Sequence, residues 1–240
     1  MAAVLVVACV ALAVGLWRHT NRVAAGYTNN NKGVLVVMFS TPNIVPQYAG
    51  LAERANKAYA ARHGYDFKHH VRPASHQIPQ WEKVSVIREA LQSHNTVFWI
   101  DSDAAFNQHD VPLDKWMASP ADIVGCTDYP NGPYSINTGT LLVKSTPWSR
   151  KFFDLWWSMR TVPKYSQWAN EQEALHDLIL QDVHGCASSN KVQIEPARAF
   201  NSAFEDLAHG DRSTFVLHFM AMDSKYRRQE LQALCTRVGA

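Results

Sequence analysis

An excess of charge of one sign, internal repeats and low-complexity tracts are all missing from this 240-residue sequence. The net charge is +2 with histidine neutral, so no strong electrostatic field favours a nucleic-acid partner. No convincing linker occurs after residue 33, so one domain is the simplest interpretation of the remaining chain. With 47% hydrophobic residues, that chain has the composition of a globular protein with a sizeable core.

Cysteine is also scarce, with 4 residues and no CxxC pair, which argues against a structural zinc site. Cys9 lies in an apolar segment at the N-terminus. In a secretory compartment the other three would allow one disulfide and one free thiol, and the sequence does not decide the pairing. They are Cys126, Cys186 and Cys235.

Long hydrophobic runs are limited to one uncharged stretch, "AAVLVVACVALAVGLW", at residues 2–17. As a helix it would be about 24 Å long, which is closer to the thinner membranes of the early secretory pathway than to an average bilayer. A signal peptide cleaved near the small residues at 22–26 is the alternative interpretation. Basic residues follow the run at 18–22, and by the positive-inside rule they disfavour a lumenal C-terminus.

Strand and helix patterns alternate from residue 34 onwards, which predicts an α/β sheet covered on both faces. The apolar run "VLVVMF" at 34–39 is typical of a buried central strand, and Gly64 fits the C-terminal cap of a helix at 45–64. Residues 134–145 are predicted to turn at Gly139 and continue as a strand, and a basic tail closes the chain. Further strands are predicted at 65–71, 96–100 and 122–126 and late in the chain at "VQIEP" and "TFVLHF", and further helices at 79–94, 113–117, 146–160 and 170–183.

The segment "TVFWIDSDAAF" at 96–106 ends an apolar strand in two aspartates. Asp101 and Asp103 therefore lie at the carboxyl end of a strand, where open α/β sheets place their ligand-binding residues. Two carboxylates this close repel each other, and a divalent cation such as Mg²⁺ or Mn²⁺ is the simplest compensation. The pair predicts a site for a metal and a diphosphate, and two solvent-exposed turn caps are the simpler alternative.

A phosphatase of the haloacid-dehalogenase type is an alternative from another reaction class. Such enzymes also follow an apolar strand with D-x-D and use the first aspartate as a nucleophile. Their motif stands on the first strand, whereas a strand–helix–strand–helix pattern precedes Asp101 here. Ala104 and Ala105 also replace the residues typical of that motif, so this alternative is disfavoured.

From residue 34 to about 220 the chain resembles the retaining glycosyltransferase family of fungal galactosyl- and mannosyltransferases and plant xyloglucan xylosyltransferases. Several segments match that family in its own order, and together they are far more specific than a D-x-D alone. In this sequence they are "YAARHGYDF" (59–67), "WEKVSVIREAL" (81–91), "FWIDSDAAF" (98–106), "INTGTLLVKSTPWSRKFFDLW" (136–156), "NEQEAL" (170–175), "AFNSAF" (199–204) and "VLHF" (216–219).

The resemblance implies a GT-A fold with a mostly parallel central sheet over 34–240, and transfer of a sugar from a UDP- or GDP-sugar to a glycan acceptor. It implies that Asp101, Asp103 and His218 hold Mn²⁺, with Mg²⁺ as the other candidate. Without the resemblance, His218 would be interpreted as a packed histidine at a strand end. Family members are anchored in the Golgi by one N-terminal helix, so we expect a type II anchor at 1–17 and a stalk at 18–33.

The resemblance also suggests which side chains handle the substrates. Glu171 and Gln172 match the residues beside the sugar-transfer centre, although an acid at a helix start also interacts favourably with the helix dipole. No residue stands out as a covalent nucleophile, so we expect a front-face displacement. Candidates for donor or acceptor contact are Lys83, Ser102, Asn137, Gly139 and Lys225. The simpler alternatives are a solvated helix face for Lys83 and a plain turn at Asn137–Gly139.

The chain departs from the family after His218, where "HFMAMDSKYRRQ" contains no glycine and places Lys225 further along than expected. This departure keeps open a non-catalytic member that binds a sugar nucleotide or glycan without turnover. The donor sugar, the linkage and a homo- or hetero-oligomeric state are not decided by the sequence.

Overall fold

The structure is a computed structural model that describes residues 32–128, 136–166, 170–202 and 213–240. The predicted anchor at 1–17 and the stalk up to residue 31 lie outside these residues. Within the described ranges, no helix combines the length and the apolar character needed to cross a membrane.

Strands and helices alternate along the described chain, as the sequence predicts. The strands are β1 (Lys32–Ser40), β2 (Asp66–Val71), β3 (His94–Ile100), β4 (Ala104–Phe106), β5 (Ile123–Cys126), β6 (Asn137–Lys144), β7 (Val192–Glu195) and β8 (Val216–His218). The α-helices are α1 (Gly50–His63), α2 (Glu82–Ala90), α3 (Asp114–Met117), α4 (Pro147–Ser158), α5 (Asn170–Leu180), α6 (Ala197–Phe200) and α7 (Ser224–Val238).

Six strands form the central sheet in the order β2-β1-β3-β6-β5-β7. β1 is parallel to β2 and β3, and β5 is parallel to β7, whereas β6 is antiparallel to both of its neighbours. Because β6 runs the opposite way, its first residues lie at the same edge of the sheet as the last residues of β3. This confirms the predicted mostly parallel sheet and places the start of β6 next to Asp101.

A second, two-stranded sheet pairs β4 with β8 in antiparallel register. Ala104 lies opposite His218 in this pairing. The residue before Ala104 is Asp103, so the small sheet brings the end of β8 to the aspartate pair that follows β3.

Two layers of buried side chains lie on the two faces of the central sheet. One face packs Val36, Met38 and Phe98 against α1 and α7. The other packs Val37 and Trp99, with other strand residues, against α2, α4 and α5. Helix coverage of both faces, which the sequence predicts, is therefore confirmed.

Two local predictions differ clearly from the structure, and one segment without a predicted conformation forms a helix. The helix predicted at 79–94 ends at Ala90, because the chain turns over Gln92 and Ser93 before His94 begins β3. The predicted turn at Gly139 is wrong, since β6 continues through it. The basic tail forms α7, which begins where the Asp223 side chain accepts a hydrogen bond from the Tyr226 backbone N–H.

The cysteines of the described residues are free thiols, so the disulfide left open by the sequence is not formed among them. Each is buried: Cys126, Cys186 and Cys235. The predicted cap at Gly64 is confirmed, because this glycine ends α1 with a left-handed φ of 69° that its missing Cβ allows.

Candidate active site

A cavity of about 980 Å³ opens at the carboxyl ends of β1 and β3 and the start of β6. Nine of the ten residues singled out from the sequence line it, and Lys225 does not. The polar residues of its wall are Ser40, Thr41, Tyr48, Gln80, Lys83, Asp101, Ser102, Asp103, Asp128, Asn137, Thr138, Glu171, Gln172, His218 and Arg227.

Three potential metal ligands lie close together in the wall of this cavity. One ligand atom from each of Asp101, Asp103 and His218 lies within 4.8 Å of the others. His218 Nε2 is 3.4 Å from Asp103 Oδ1 and 3.8 Å from Asp101 Oδ2. Carboxylate oxygens together with one imidazole nitrogen are a donor set that can hold a divalent cation.

The two carboxylates of this group have different electrostatic surroundings. Burial by itself would raise the pKa of Asp103, but the hydrogen bond and charge of His218, with the nearby Arg227, lower this pKa to about 2. Burial raises the pKa of Asp101, and the charges of Lys83 and His218 only partly offset it. Asp103 is therefore a firm negative charge, while Asp101 has more to gain from an added cation.

The position of the His218 ring against β6 explains why residue 139 is glycine. A Cβ at Gly139 would lie 2.1 Å from His218 Cε1, a distance that real Cβ contacts do not reach. Asn201 Nδ2 is 3.1 Å from His218 Nδ1, and the Ser202 hydroxyl accepts from the His218 backbone N–H at 2.8 Å. These contacts hold the ring with Nε2 towards the aspartates.

Lys83 is buried, with 4% of its side chain exposed, so the alternative of a solvated helix face does not apply. Its Nζ lies 3.2 Å from both Asp101 Oδ1 and Glu171 Oε1, and donates to Thr138 Oγ1 at 3.0 Å. Burial alone would lower the pKa of Lys83, but the two carboxylates raise it overall, so the ammonium stays charged. Lys83 thus connects the aspartate pair to Glu171.

Glu171 and Gln172 lie together at the start of α5, against the first residues of β6. Gln172 Oε1 accepts from the Thr138 backbone N–H at 3.0 Å, and Gln172 Nε2 donates to Asp128 at 3.3 Å. Asp128 also accepts from Asn137 Nδ2 at 3.0 Å. Among the described residues, the buried Glu171 Oε2 has no hydrogen-bond partner.

The segment after His218 brings Arg227, rather than Lys225, to the cavity. Lys225 is exposed on α7, while Arg227 Nη2 lies 2.9 Å from Asp103 Oδ2 and its guanidinium is 5.0 Å from the centre of the Tyr48 ring. Ala221 has a φ of 58°, so it adopts a left-handed conformation that glycine would take without strain.

Sequence reasoning missed several residues of this site. Asp128 was not singled out, Arg227 was considered for diphosphate contact only together with Lys225 and Arg228, and Asn201 appeared only within a matched segment. The basic run at 225–228 contained Arg227, but only the helical phase of α7 selects it over its neighbours. Asp128 and Asn201 lie in loops, where Asp128 holds Asn137 and Gln172 and Asn201 holds His218.

Comparisons with known proteins identify the family and the fold of this chain. The chain matches the model of the "galactosyl transferase GMA12/MNN10 family" over residues 29–127 and 131–228. It is 31% identical over 112 residues to "Galactomannan galactosyltransferase 1" of Cyamopsis tetragonoloba, covering 42% of this chain and 26% of that protein. It is 25% identical over 164 residues to "Probable alpha-1,6-mannosyltransferase MNN10" of Saccharomyces cerevisiae, covering 54% and 42%. The chain thus spans less than half of either relative.

Solved structures show the same fold. A glycosyltransferase "involved in the glycosylation of the major capsid of PBCV-1" superposes with a TM-score of 0.71 at 16% identity, over 83% of this chain and 98% of the other. The galactosyltransferase LgtC, solved "in complex with donor and acceptor sugar analogs", gives a TM-score of 0.53 at 13% identity, over 86% and 96%. At these identities the likeness concerns the fold alone, and it confirms the predicted GT-A architecture.

Proposed function

Because the chain belongs to the galactosyl transferase GMA12/MNN10 family, we propose that it transfers a sugar from a nucleotide diphosphate sugar to a glycan, with retention of the anomeric configuration. The observation that carries this proposal is the group of Asp101, Asp103 and His218 inside a cavity of about 980 Å³. Its carboxylates suit Mn²⁺ or Mg²⁺, and its imidazole nitrogen favours Mn²⁺ because Mg²⁺ takes oxygen ligands.

The sheet order divides the cavity into two flanks around this group. On the β6 side stand carboxylates and amides that can hold sugar hydroxyls, among them Asp128, Asn137 and Gln172. On the β1 side stand Phe39 and Tyr48, whose rings suit a nucleobase. We therefore expect the donor to lie across the end of β3, with its diphosphate next to Asp101, Asp103 and His218.

The chain's own residues account for the chemistry of transfer. A divalent cation held by Asp101, Asp103 and His218 would neutralise charge on the departing diphosphate. Arg227 adds a positive charge on the same side. Glu171 and Gln172 orient the sugar and the acceptor hydroxyl, and an oxygen of the leaving phosphate takes the acceptor's proton as the new glycosidic bond forms on the same face.

Hydrolysis of UDP- and GDP-sugars by the full chain, with Mn²⁺ and then with EDTA, tests this function. We expect metal-dependent release of the nucleotide from at least one donor, and loss of turnover in Asp103→Ala. Asp110→Ala is the matched control, since this aspartate lies on the surface and pairs with Arg62.

Each other outcome of this experiment has a definite meaning. Donor binding without turnover in the full chain would favour a non-catalytic member of the family. Equal turnover in Asp103→Ala would refute the metal site. A covalent sugar adduct trapped in the Glu171→Gln variant protein would refute the front-face displacement.

We also propose that residues 1–17 anchor the chain in a Golgi membrane with the catalytic domain in the lumen. The uncharged run at 2–17 and the family membership support this location. In carbonate extraction of expressing cells, the full chain should stay in the membrane pellet, and a chain beginning at residue 18 should be released. Release of both would refute the anchor.

A further inference from the structure

Each of the two aspartates at the candidate metal site has one carboxylate oxygen that is already bonded to the protein. Asp101 Oδ1 accepts a hydrogen bond from Trp99 Nε1 at 2.7 Å, and Lys83 Nζ lies 3.2 Å from the same oxygen. Asp103 Oδ2 lies 2.9 Å from Arg227 Nη2. These partners belong to β3, α2 and α7, so the same pattern is built at both carboxylates by separate elements.

The other oxygen of each carboxylate lies towards His218. Asp101 Oδ2 is 3.8 Å and Asp103 Oδ1 is 3.4 Å from His218 Nε2. The atoms that remain for a cation are therefore one oxygen from each aspartate and one ring nitrogen. A carboxylate whose second oxygen is bonded to the protein binds a cation through a single oxygen.

Trp99 holds Asp101 from a fixed position. The two residues are two positions apart, so their side chains point to the same face of an extended segment. Trp99 is 3% exposed and packs among the buried side chains between the central sheet and α2, while its ring also lines the cavity. An indole N–H only donates hydrogen bonds, so it binds a carboxylate oxygen and cannot bind a cation.

Divalent cations differ in how they use carboxylates. Ca²⁺ takes about six to eight oxygen ligands and binds a carboxylate through one or both of its oxygens, whereas Mg²⁺ is smaller and requires near-ideal octahedral geometry. A pair of aspartates that offers only one oxygen each supplies fewer ligands than a Ca²⁺ site can use. Bonding the second oxygens to the protein therefore disfavours Ca²⁺ more than it disfavours the smaller cations.

We propose that Trp99 and Arg227 set the cation selectivity of this site, by restricting Asp101 and Asp103 to one oxygen each and so favouring Mn²⁺ or Mg²⁺ over Ca²⁺. This inference rests on the proposed function, because it concerns the cation that the proposed transfer uses. Trp99 is a positioning residue in this scheme, since it acts through Asp101. Arg227 acts on the cation in the same way, through Asp103.

The test measures the affinity of the full chain for Mn²⁺ and for Ca²⁺ by calorimetry, without a nucleotide, so that turnover plays no part. Trp99→Phe removes the indole N–H, keeps an aromatic ring in the core and leaves the net charge unchanged. Trp116→Phe is the matched control. Trp116 is also 3% exposed, and its Nε1 has no hydrogen-bond partner in the part of the chain that the structure describes.

Arg227→Met is a second variant, which frees Asp103 Oδ2 without changing a core tryptophan and so tests the inference even if Trp99→Phe does not fold. The loss of a positive charge raises the affinity for both divalent cations, and the ratio of the two affinities removes this shared effect. Arg228→Met is the control for the charge. Arg228 is the next residue of α7, is exposed, and donates a hydrogen bond to the Pro46 carbonyl.

In the unmodified chain we expect Mn²⁺ to bind more tightly than Ca²⁺. The ratio of the Mn²⁺ affinity to the Ca²⁺ affinity should fall about three- to tenfold in Trp99→Phe and in Arg227→Met, because each variant releases a carboxylate oxygen from a hydrogen bond or ion pair. Trp116→Phe and Arg228→Met should keep the ratio of the unmodified chain.

Two results would overturn the inference while leaving the proposed function intact. One is an unchanged ratio in either folded variant, with both affinities altered by the same factor, as a purely structural role predicts. The other is a Ca²⁺ affinity in the unmodified chain that equals or exceeds the Mn²⁺ affinity. If the unmodified chain binds neither cation, the metal site of the proposed function fails and this inference fails with it.

Discussion

Gly139→Ala adds one methyl group where β6 passes under the ring of His218. The new Cβ would lie 2.1 Å from His218 Cε1, 2.6 Å from Nδ1 and 2.9 Å from Asn137 Oδ1. An ordinary contact begins at 3.4 Å, so the ring has to move by about 1.3 Å, which is the difference between 3.4 and 2.1 Å. Asn201 hydrogen-bonds to both the ring and the amide, so displacing either of them strains or breaks one of these bonds.

The displacement is large compared with the geometry of the site. His218 Nε2 is 3.4 Å from Asp103 Oδ1 and 3.8 Å from Asp101 Oδ2, so a shift of this size removes the nitrogen from the ligand group. A misplacement of about 1 Å can cost about 100-fold in activity, and overpacking costs about 1–3 kcal/mol of stability. We expect the Mn²⁺ affinity of Gly139→Ala to fall at least tenfold and its turnover about 100-fold.

Calorimetric titration with Mn²⁺ and the unfolding free energy in urea measure the two effects separately. Gly125→Ala is the overpacking control, because its Cβ would meet Ile136 Cδ1 at 2.7 Å without touching His218. Gly33→Ala is the neutral control, since no atom lies within 4 Å of its added Cβ. If Gly139→Ala binds Mn²⁺ as tightly as the controls do, the argument that the His218 ring requires glycine at residue 139 is refuted.

Two further predictions concern the buried charges and the thiols. Lys83→Met leaves buried carboxylates without their cation, so the free energy of unfolding in urea should fall by about 3 kcal/mol, and adding Glu171→Gln should restore part of it. Lys68 pairs with Glu89 on the surface, so Lys68→Met should lower the free energy of unfolding by less than about 1 kcal/mol. An equal loss in both lysine variants would contradict the stabilising role of the buried ion pairs of Lys83. Burial raises the pKa of Cys126 to about 12 and of Cys186 to about 11, so iodoacetamide at neutral pH should label neither in the folded chain and both in urea. Peptide mass spectrometry reads the labelling, and rapid modification of the folded chain would contradict the burial.

Local patterns predicted the regular elements well, because the signals for strands and helices are carried by neighbouring residues. The apolar run at 34–39 became the centre of β1, and Gly64 capped α1. The end of the helix predicted at 79–94 was wrong, since the start of β3 is decided by its pairing with β1 and β6. The prediction of a turn at Gly139 failed for a related reason, because a glycine required by a distant side chain has no local signature.

The site was predicted to the extent that its residues are adjacent in the sequence. Asp101 and Asp103 stand two positions apart, so one strand is enough to bring them together. His218 was placed beside them by family resemblance, and the contacts that Trp99 and Arg227 make with the two carboxylates were not predicted. Arg227 lies on α7, far along the chain from Asp103, and only the packing of that helix makes the two neighbours.

The order of residues by itself determined the chemistry available to this protein: a pair of acids after an apolar strand, an acid and an amide at a helix start, and a family to which that pattern belongs. Tertiary structure decided which of these groups meet. The antiparallel pairing of β4 with β8 delivers His218 to the aspartates, and α7 turns Arg227 rather than Lys225 towards them. The reason is physical, since such contacts depend on closing long loops and burying both sheet faces at once, and no short segment of the chain carries that information.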